Sequence, residues 1–223
     1  MTRILILRPE PAAGRTAARA TALGMEVRRH PLFAPHAIDW TPPPAATFDA
    51  LLLTSANGAR LAGPALADYR SLPTYAVGPA TAQALAAARF DAVIAGDGDG
   101  SAIAARIAAD GHRHVLHLAG TTVAPMEAGS AAITRIAVYS MAALPPDPAL
   151  IEDAVPGSIL AVHSSRAGER LAQQIPEPMR ATLHVVAISA AALTACGDGW
   201  ASVQAAVTPT DDDMLALALR LCE

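Results

Sequence analysis

Ten short apolar runs separated by alanine-rich stretches constrain this chain more than any other feature. Such alternation is the pattern of parallel strands joined by crossover helices. The runs lie at 3–7, 25–29, 50–54, 74–77, 91–95, 114–118, 134–139, 158–163, 183–188 and 202–207. One open sheet does not hold ten strands comfortably, whereas five plus five fits two flavodoxin-like parallel sheets. The expected class is therefore α/β with two lobes, and 223 residues suffice for it at ~100 to 200 residues per domain.

An internal echo supports duplication. Ser55-Ala56-Asn57-Gly58-Ala59-Arg60-Leu61 and Ser165-Arg166-Ala167-Gly168-Glu169-Arg170-Leu171 share the pattern SxxGxRL, 110 residues apart. Each copy follows a strand and opens a helix, as a repeated half requires. The strand-turn-helix segments beginning at Tyr75 and Val186 fall at a similar offset, 111 residues. Proline marks the seams, because it cannot donate to a central ladder. Pro31, Pro35, Pro42, Pro43 and Pro44 form one cluster, and Pro145, Pro146 and Pro148 another. Two seams predict a discontinuous first domain, residues 1–32 with 143–223, and a second domain at 39–134.

Composition narrows the chemistry. Net charge is −4, without the basic excess that nucleic-acid binding needs. All 16 basic residues are arginine, which removes Schiff-base chemistry, a pyridoxal phosphate anchor and the P-loop lysine. Cys196 and Cys222 lack metal or disulfide spacing. The first apolar run is broken by Arg8-Pro9, too early for an export signal, and nothing approaches a membrane span of ~20 apolar residues. A cytoplasmic, monomeric protein with no membrane or nucleic-acid partner is expected.

Three clusters attract attention. Gly96-Asp97-Gly98-Asp99-Gly100 resembles a dinucleotide fingerprint, but its last glycine is one residue early and its aspartates would repel a pyrophosphate. A turn capped by Ser101 is the expected reading. His112, His114 and His117 could suggest a metal, yet strand alternation turns His117 to the opposite face, so no metal and only surface or strand-end histidines are expected. Ser55, Thr81, Ser165 and Ser189 lie at carboxyl ends of predicted strands, where open α/β sheets bind ligands. Hydroxyls and free helix amides there suit an anion, or alternatively cap the helices.

The ordered set Ile4-Leu5-Ile6-Leu7-Arg8-Pro9-Glu10, Gly24-Met25-Glu26-Val27, Pro31-Leu32-Phe33, Phe48-Asp49-Ala50-Leu51-Leu52-Leu53-Thr54-Ser55-Ala56-Asn57-Gly58, Ala76-Val77-Gly78-Pro79-Ala80-Thr81-Ala82 and Val138-Tyr139 resembles the uroporphyrinogen-III synthase family over nearly the whole chain. The resemblance implies two α/β domains joined by a two-strand connector, here residues 33–38 and 135–142. It also implies a hydro-lyase of tetrapyrrole biosynthesis that converts hydroxymethylbilane to uroporphyrinogen III, with loss of water, inversion of ring D and no cofactor. Tyr139 matches the family tyrosine that assists hydroxyl departure. Thr81, Ser55 and Ser164 match family positions, and with Arg8, Asn57, Gly78, Ser165 and Ser189 they make up the expected substrate-binding set. One departure concerns the second half, where relatives carry a Gly-Pro-Thr-Thr-like turn and this chain reads Ile188-Ser189-Ala190-Ala191-Ala192. A two-lobe binding protein, or a degenerate relative that binds tetrapyrroles without catalysis, is the alternative.

Overall fold

Every one of the ten apolar runs contains a strand of the structure, a computed structural model that describes residues 3–96 and 99–221. The chain divides into two compact units, Met1–Ala34 with Ala143–Glu223, and Pro35–Ala142.

The discontinuous unit contains β1 (Arg3–Ile6), α1 (Ala12–Ala22) and β2 (Glu26–Arg29) from its first segment. The chain then runs through β3 (Phe33–Ala37), β4 (Ala50–Leu53), α2 (Ala56–Leu61), β5 (Thr74–Ala76), α3 (Pro79–Ala87), β6 (Val93–Ala95), α4 (Gly100–Ala109), β7 (His114–Gly120) and β8 (Ala132–Ala143). It returns to the first unit as α5 (Pro148–Asp153), β9 (Ile159–Val162), α6 (Ser165–Gln174), α7 (Glu177–Arg180), β10 (His184–Ala187), α8 (Ala190–Thr194), β11 (Ser202–Ala205) and α9 (Asp211–Arg220).

The first sheet is parallel throughout, in the order β11-β10-β9-β1-β2. In this unit's own chain order that is 2-1-3-4-5, the flavodoxin-like arrangement. Its interior strands β1, β9 and β10 are covered on both faces, so Ile4, Leu5, Ile6, Leu160, Val162, Val185 and Val186 are all buried, as continuous apolar runs require. The edge strand β2 instead carries Glu26, Arg28 and Arg29, and Glu26 pairs with Arg3 at 2.9 Å and with Arg28 at 2.8 Å. Charges of this kind deter pairing with another chain.

The second sheet differs from expectation in two ways. It has six strands, β3-β8-β7-β4-β5-β6, because the two connector segments, β3 and the later part of β8, pair within this sheet and add a sixth strand to the five expected. Ile38 N–H, just beyond β3, donates to the Val138 carbonyl at 3.1 Å. The remaining five strands run 3-2-1-4-5 in their own chain order rather than 2-1-3-4-5. The two orders nevertheless describe one spatial pattern. Offset by the internal echo, β4, β5 and β6 correspond to β9, β10 and β11, while β7 and β8 stand where β1 and β2 stand. Each sheet is a cyclic permutation of the other, because the first unit is entered before its switch point and the second after it.

This correspondence exposes one difference. The crossover from β1 to β2 is helix α1, whereas the equivalent parallel crossover from β7 to β8 spans residues 121–131 with no helix. Parallel strands require a return along the full strand length, usually made by a helix.

The shared SxxGxRL pattern is explained by helix capping and close packing. Ser55 caps α2 by accepting from Asn57 N–H at 3.2 Å. In α6 the cap is Ser164, accepting from Ala167 N–H at 3.2 Å, so Ser165 is already the first helical residue. A Cβ on Gly58 would come within 3.0 Å of the Leu118 carbonyl oxygen, and one on Gly168 within 2.7 Å of the Ala192 carbonyl oxygen. The second contact is against backbone, which cannot swing aside. Gly168→Ala is expected to destabilise the protein by about 1 to 3 kcal/mol through overpacking, despite alanine's better helix propensity, read as a lower urea midpoint. An unchanged or higher midpoint would contradict this contact.

Candidate active site

A cavity of about 760 Å³ lies in the second unit. It forms where one face of the sheet changes character. Along that face the amino-terminal residues of the strands are apolar, Ala50 and Leu52 on β4 and Val115 on β7, with Ile103 and Ile107 of α4 packed over them. Two residues further along each strand, the same face presents Thr54, His117 and Arg135. Strand alternation places these polar groups together, and the register sets His117 opposite Arg135. The site lies at the carboxyl ends of β4 and β7, between which the strand order reverses, the usual ligand position in open α/β sheets.

The helix-free return from β7 to β8 closes the opposite wall with Thr122, Val123, Ala124, Pro125, Met126 and Ala128. It is tied to the start of α4: Glu127 N–H donates to Ser101 Oγ at 3.0 Å, and a Cβ on Gly100 would meet Met126 Sδ at 3.1 Å. Where a helix would fill the space over the sheet, an extended segment leaves it open.

Tyr139 enters the cavity through a register shift in the β7–β8 ladder, where Ala119 pairs with Ala137 but Gly120 pairs with Tyr139. The phenol ring rests on Gly120, where a Cβ would lie 2.9 Å from its Cζ. Thr121 N–H donates to the Tyr139 carbonyl at 3.0 Å. Glycine is thus a steric requirement for this tyrosine's seat.

His117 is buried, at 2% exposure, which corrects the expectation of a surface or strand-end histidine. Its Nε2 lies 2.9 Å from Thr54 Oγ1. Burial, reinforced by the positive charge of Arg135, pushes its pKa down to about 4, so the ring is neutral at physiological pH. The other two histidines diverge from it. His112 stands edge-on to Tyr75, at 5.7 Å between ring centroids, and His114 is exposed. Arg135 itself has no carboxylate partner among the described residues.

Of the residues expected from sequence, the cavity brings together only Ser55 and Tyr139. Asn57 lies in the first turn of α2 and its N–H is taken by Ser55. Gly78 precedes α3 and its carbonyl accepts from Thr81 N–H at 3.1 Å, while Thr81 is itself buried. In the other unit Ser164 and Ser189 cap α6 and α8. Arg8 is held by Asp211 at 2.7 Å, with Thr16 Oγ1 2.6 Å from the other carboxylate oxygen. Burial alone would raise the Asp211 carboxyl, but the Thr16 hydroxyl and the Arg8 guanidinium outweigh it and hold its pKa below the ordinary value. Helix α4 is capped by Asp99, which accepts from Ala102 N–H at 3.0 Å, and not by Ser101; Asp97 and Gly98 lie outside the described residues. Sequence reasoning missed Thr54, Arg135, Gly120 and the role of His117. The period-two switch from Leu52 to Thr54, Val115 to His117 and Ile133 to Arg135 was the signal that could have found three of them.

Two-unit α/β architecture with a mainly apolar cavity that carries a few convergent polar groups at a switch point defines a class of small-molecule enzyme or binding protein. The sequence matches the family HEM4, uroporphyrinogen-III synthase HemD, over residues 14–216. Among solved structures, uroporphyrinogen-III synthetase from Helicobacter pylori 26695 is 18% identical, covers 99% of this chain and 100% of its own, and superposes with a TM-score of 0.62. Thermus thermophilus uroporphyrinogen III synthase is 17% identical with full coverage of both chains and a TM-score of 0.42. No curated protein matches the sequence directly. The chain belongs to the uroporphyrinogen-III synthase family, lyases of tetrapyrrole (heme) biosynthesis. No helix among the described residues is long and apolar enough to cross a membrane.

His163 resembles His117 electrostatically. Burial, and then the charge of Arg8, bring its pKa down to about 4 as well, although Asp211 lies 3.3 Å from Nε2. Unfolded histidines titrate near 6.5, so between about pH 6.5 and pH 4 the unfolded state binds more protons than the folded one. Stability from these two groups is therefore full above pH 6.5 and falls as pH is lowered, by up to about 3 kcal/mol each. The urea midpoint should drop between pH 7.5 and pH 5, and the drop should shrink in His117→Gln. A midpoint flat over this range in the wild type would refute the buried neutral state.

Proposed function

We propose that this chain cyclises hydroxymethylbilane to uroporphyrinogen III, and that the cavity beside Tyr139 receives the ring A end of the substrate. The observation that carries this reading is the seat of Tyr139, whose phenol rests on Gly120 at the wall of a mainly apolar cavity that carries a few polar groups. In the reaction, ring A loses its hydroxyl to give an azafulvene, ring D attacks through its substituted carbon, and the spiro intermediate fragments and recloses. The pyrrole nitrogen supplies the push that expels hydroxide. Tyr139 donates a hydrogen bond to the departing oxygen and stabilises its developing charge. Ser55, at the mouth of α2, and Arg135 flank the same space and hold the substrate's carboxylates and chain in one arrangement. Most of the catalysis is then positional, which suits a lysine-free site.

Of the wider set expected from sequence, Arg8, Asn57, Gly78, Thr81, Ser164, Ser165 and Ser189 have local structural roles or lie outside this cavity. Within the second unit the proposed substrate-binding role falls to Ser55, Arg135 and the cavity wall; substrate-binding roles for Arg8, Ser164, Ser165 and Ser189 of the other unit stand as proposals beside it. A cytoplasmic monomer is the accompanying proposal, in keeping with a diffusible substrate.

Purified protein given hydroxymethylbilane should yield type III product in excess of the spontaneous type I isomer. Tyr139→Phe should lower turnover about ten- to a hundredfold, the range of modest general-acid effects, with an unchanged melting temperature. A wild-type product no richer in type III than the uncatalysed mixture would refute the activity. Unchanged turnover in Tyr139→Phe would assign the ring to packing instead.

A further inference from the structure

Thr54, His117 and Arg135 sit together on the cavity face of the sheet, and only one of them is charged. The Thr54 hydroxyl needs an acceptor, and the one His117 offers is Nε2, 2.9 Å away. If Nε2 accepts, the ring proton resides on Nδ1, and the ring itself lines the cavity. Arg135 lies in register with His117 on the neighbouring strand and has no carboxylate partner among the described residues. Asp99, the one acid among the described residues that line the cavity, is engaged at the start of α4 through Ala102 N–H. A guanidinium with no carboxylate partner among the described residues, beside a ring that in this tautomer offers an N–H, fits a carboxylate, since guanidinium supplies charge and the second donor supplies direction.

We infer that this end of the cavity is a carboxylate subsite, in which Arg135 pairs with a substrate carboxylate and His117, its Nε2 accepting from Thr54, donates to the same group from Nδ1. The inference rests on the reading that tetrapyrrole carboxylates enter this cavity, and it names the residues that receive one of them. Thr54 acts here as a positioning residue: it fixes which ring nitrogen carries the proton. The low basicity of His117 serves the same end, because a second cation beside Arg135 would be repelled while the site is empty. A methyl could not engage Arg135 at all, and a hydroxyl, though able to accept from it, would leave its charge unpaired.

The test uses nitrogen NMR of the wild-type protein labelled at histidine, with uroporphyrinogen III, kept reduced, as the probe. His117 should be protonated at Nδ1 and not at Nε2, and Nδ1 should shift on addition of the probe. In Thr54→Val the ring should lose its preference for that tautomer. Kinetically, His117→Gln should raise KM about tenfold with kcat changed less than threefold, the expected loss of one hydrogen bond to a charged group. His117→Asn, whose amide can overlay Nδ1–H, should restore KM toward the wild-type value. A proton on Nε2, an Nδ1 signal indifferent to the probe, or equal KM changes in the Gln and Asn variants would overturn the subsite. Failure of the wild type to make excess type III product would overturn the proposed function instead, since probe binding at His117 is read without turnover.

Discussion

Strands β7 and β8 are parallel, so the chain between them must travel back along the sheet, and residues 121–131 do this without forming a helix. The rest of the site depends on that constraint. In the other unit the corresponding return is α1, whose Ala13, Thr16 and Ala20 are buried. An extended return covers less of the sheet than a helix, and the face it leaves open is where Thr54, His117 and Arg135 emerge. The segment is not loosely attached, because Met126 sits on Gly100 and Glu127 N–H on Ser101. The cavity is consequently bounded on one side by a sheet and on the other by a strap tied to α4.

Duplication and divergence are visible in the same comparison. The two sheets share one spatial order but assign it different chemistry at the carboxyl ends of their strands. In the discontinuous unit, Arg8 and Asp211 neutralise each other beside His163, a closed arrangement in which each charge is offset internally. In the second unit, the corresponding level carries Arg135, which has no carboxylate partner among the described residues. A paired guanidinium contributes mainly to the fold, whereas one without a partner is available to a ligand. That contrast, more than any motif, separates a structural network from a binding one.

The echoed SxxGxRL shows how a pattern can mark matching places in two sheets and mislead about role. Its glycines are explained by close approach of backbone, 3.0 Å for Gly58 and 2.7 Å for Gly168. Its serines are not equivalent: Ser55 is a cap, while in the second copy the cap has moved to Ser164 and Ser165 is helical. The caps at Ser55, Ser164 and Ser189 also account for hydroxyls that sequence placed at a ligand site, since strand-end serines serve helix amides and anions by the same geometry.

What the sequence determined by itself was the element order. Apolar runs such as Leu51-Leu52-Leu53 or Ile159-Leu160-Ala161-Val162 can only be central strands buried on both faces, and alanine-rich intervals supply the helices. The seams were legible because proline removes a ladder donor, and Tyr139 was legible through the family motif Val138-Tyr139. Only the tertiary structure decided that the second unit begins its strand order at a different point and that His117 is buried beside Thr54 and Arg135. These are facts about which distant strands lie adjacent. Local sequence sets the period of each strand, but the meeting of residues 54, 117 and 135 is fixed by register across three strands, and register is settled only when the sheet packs as a whole.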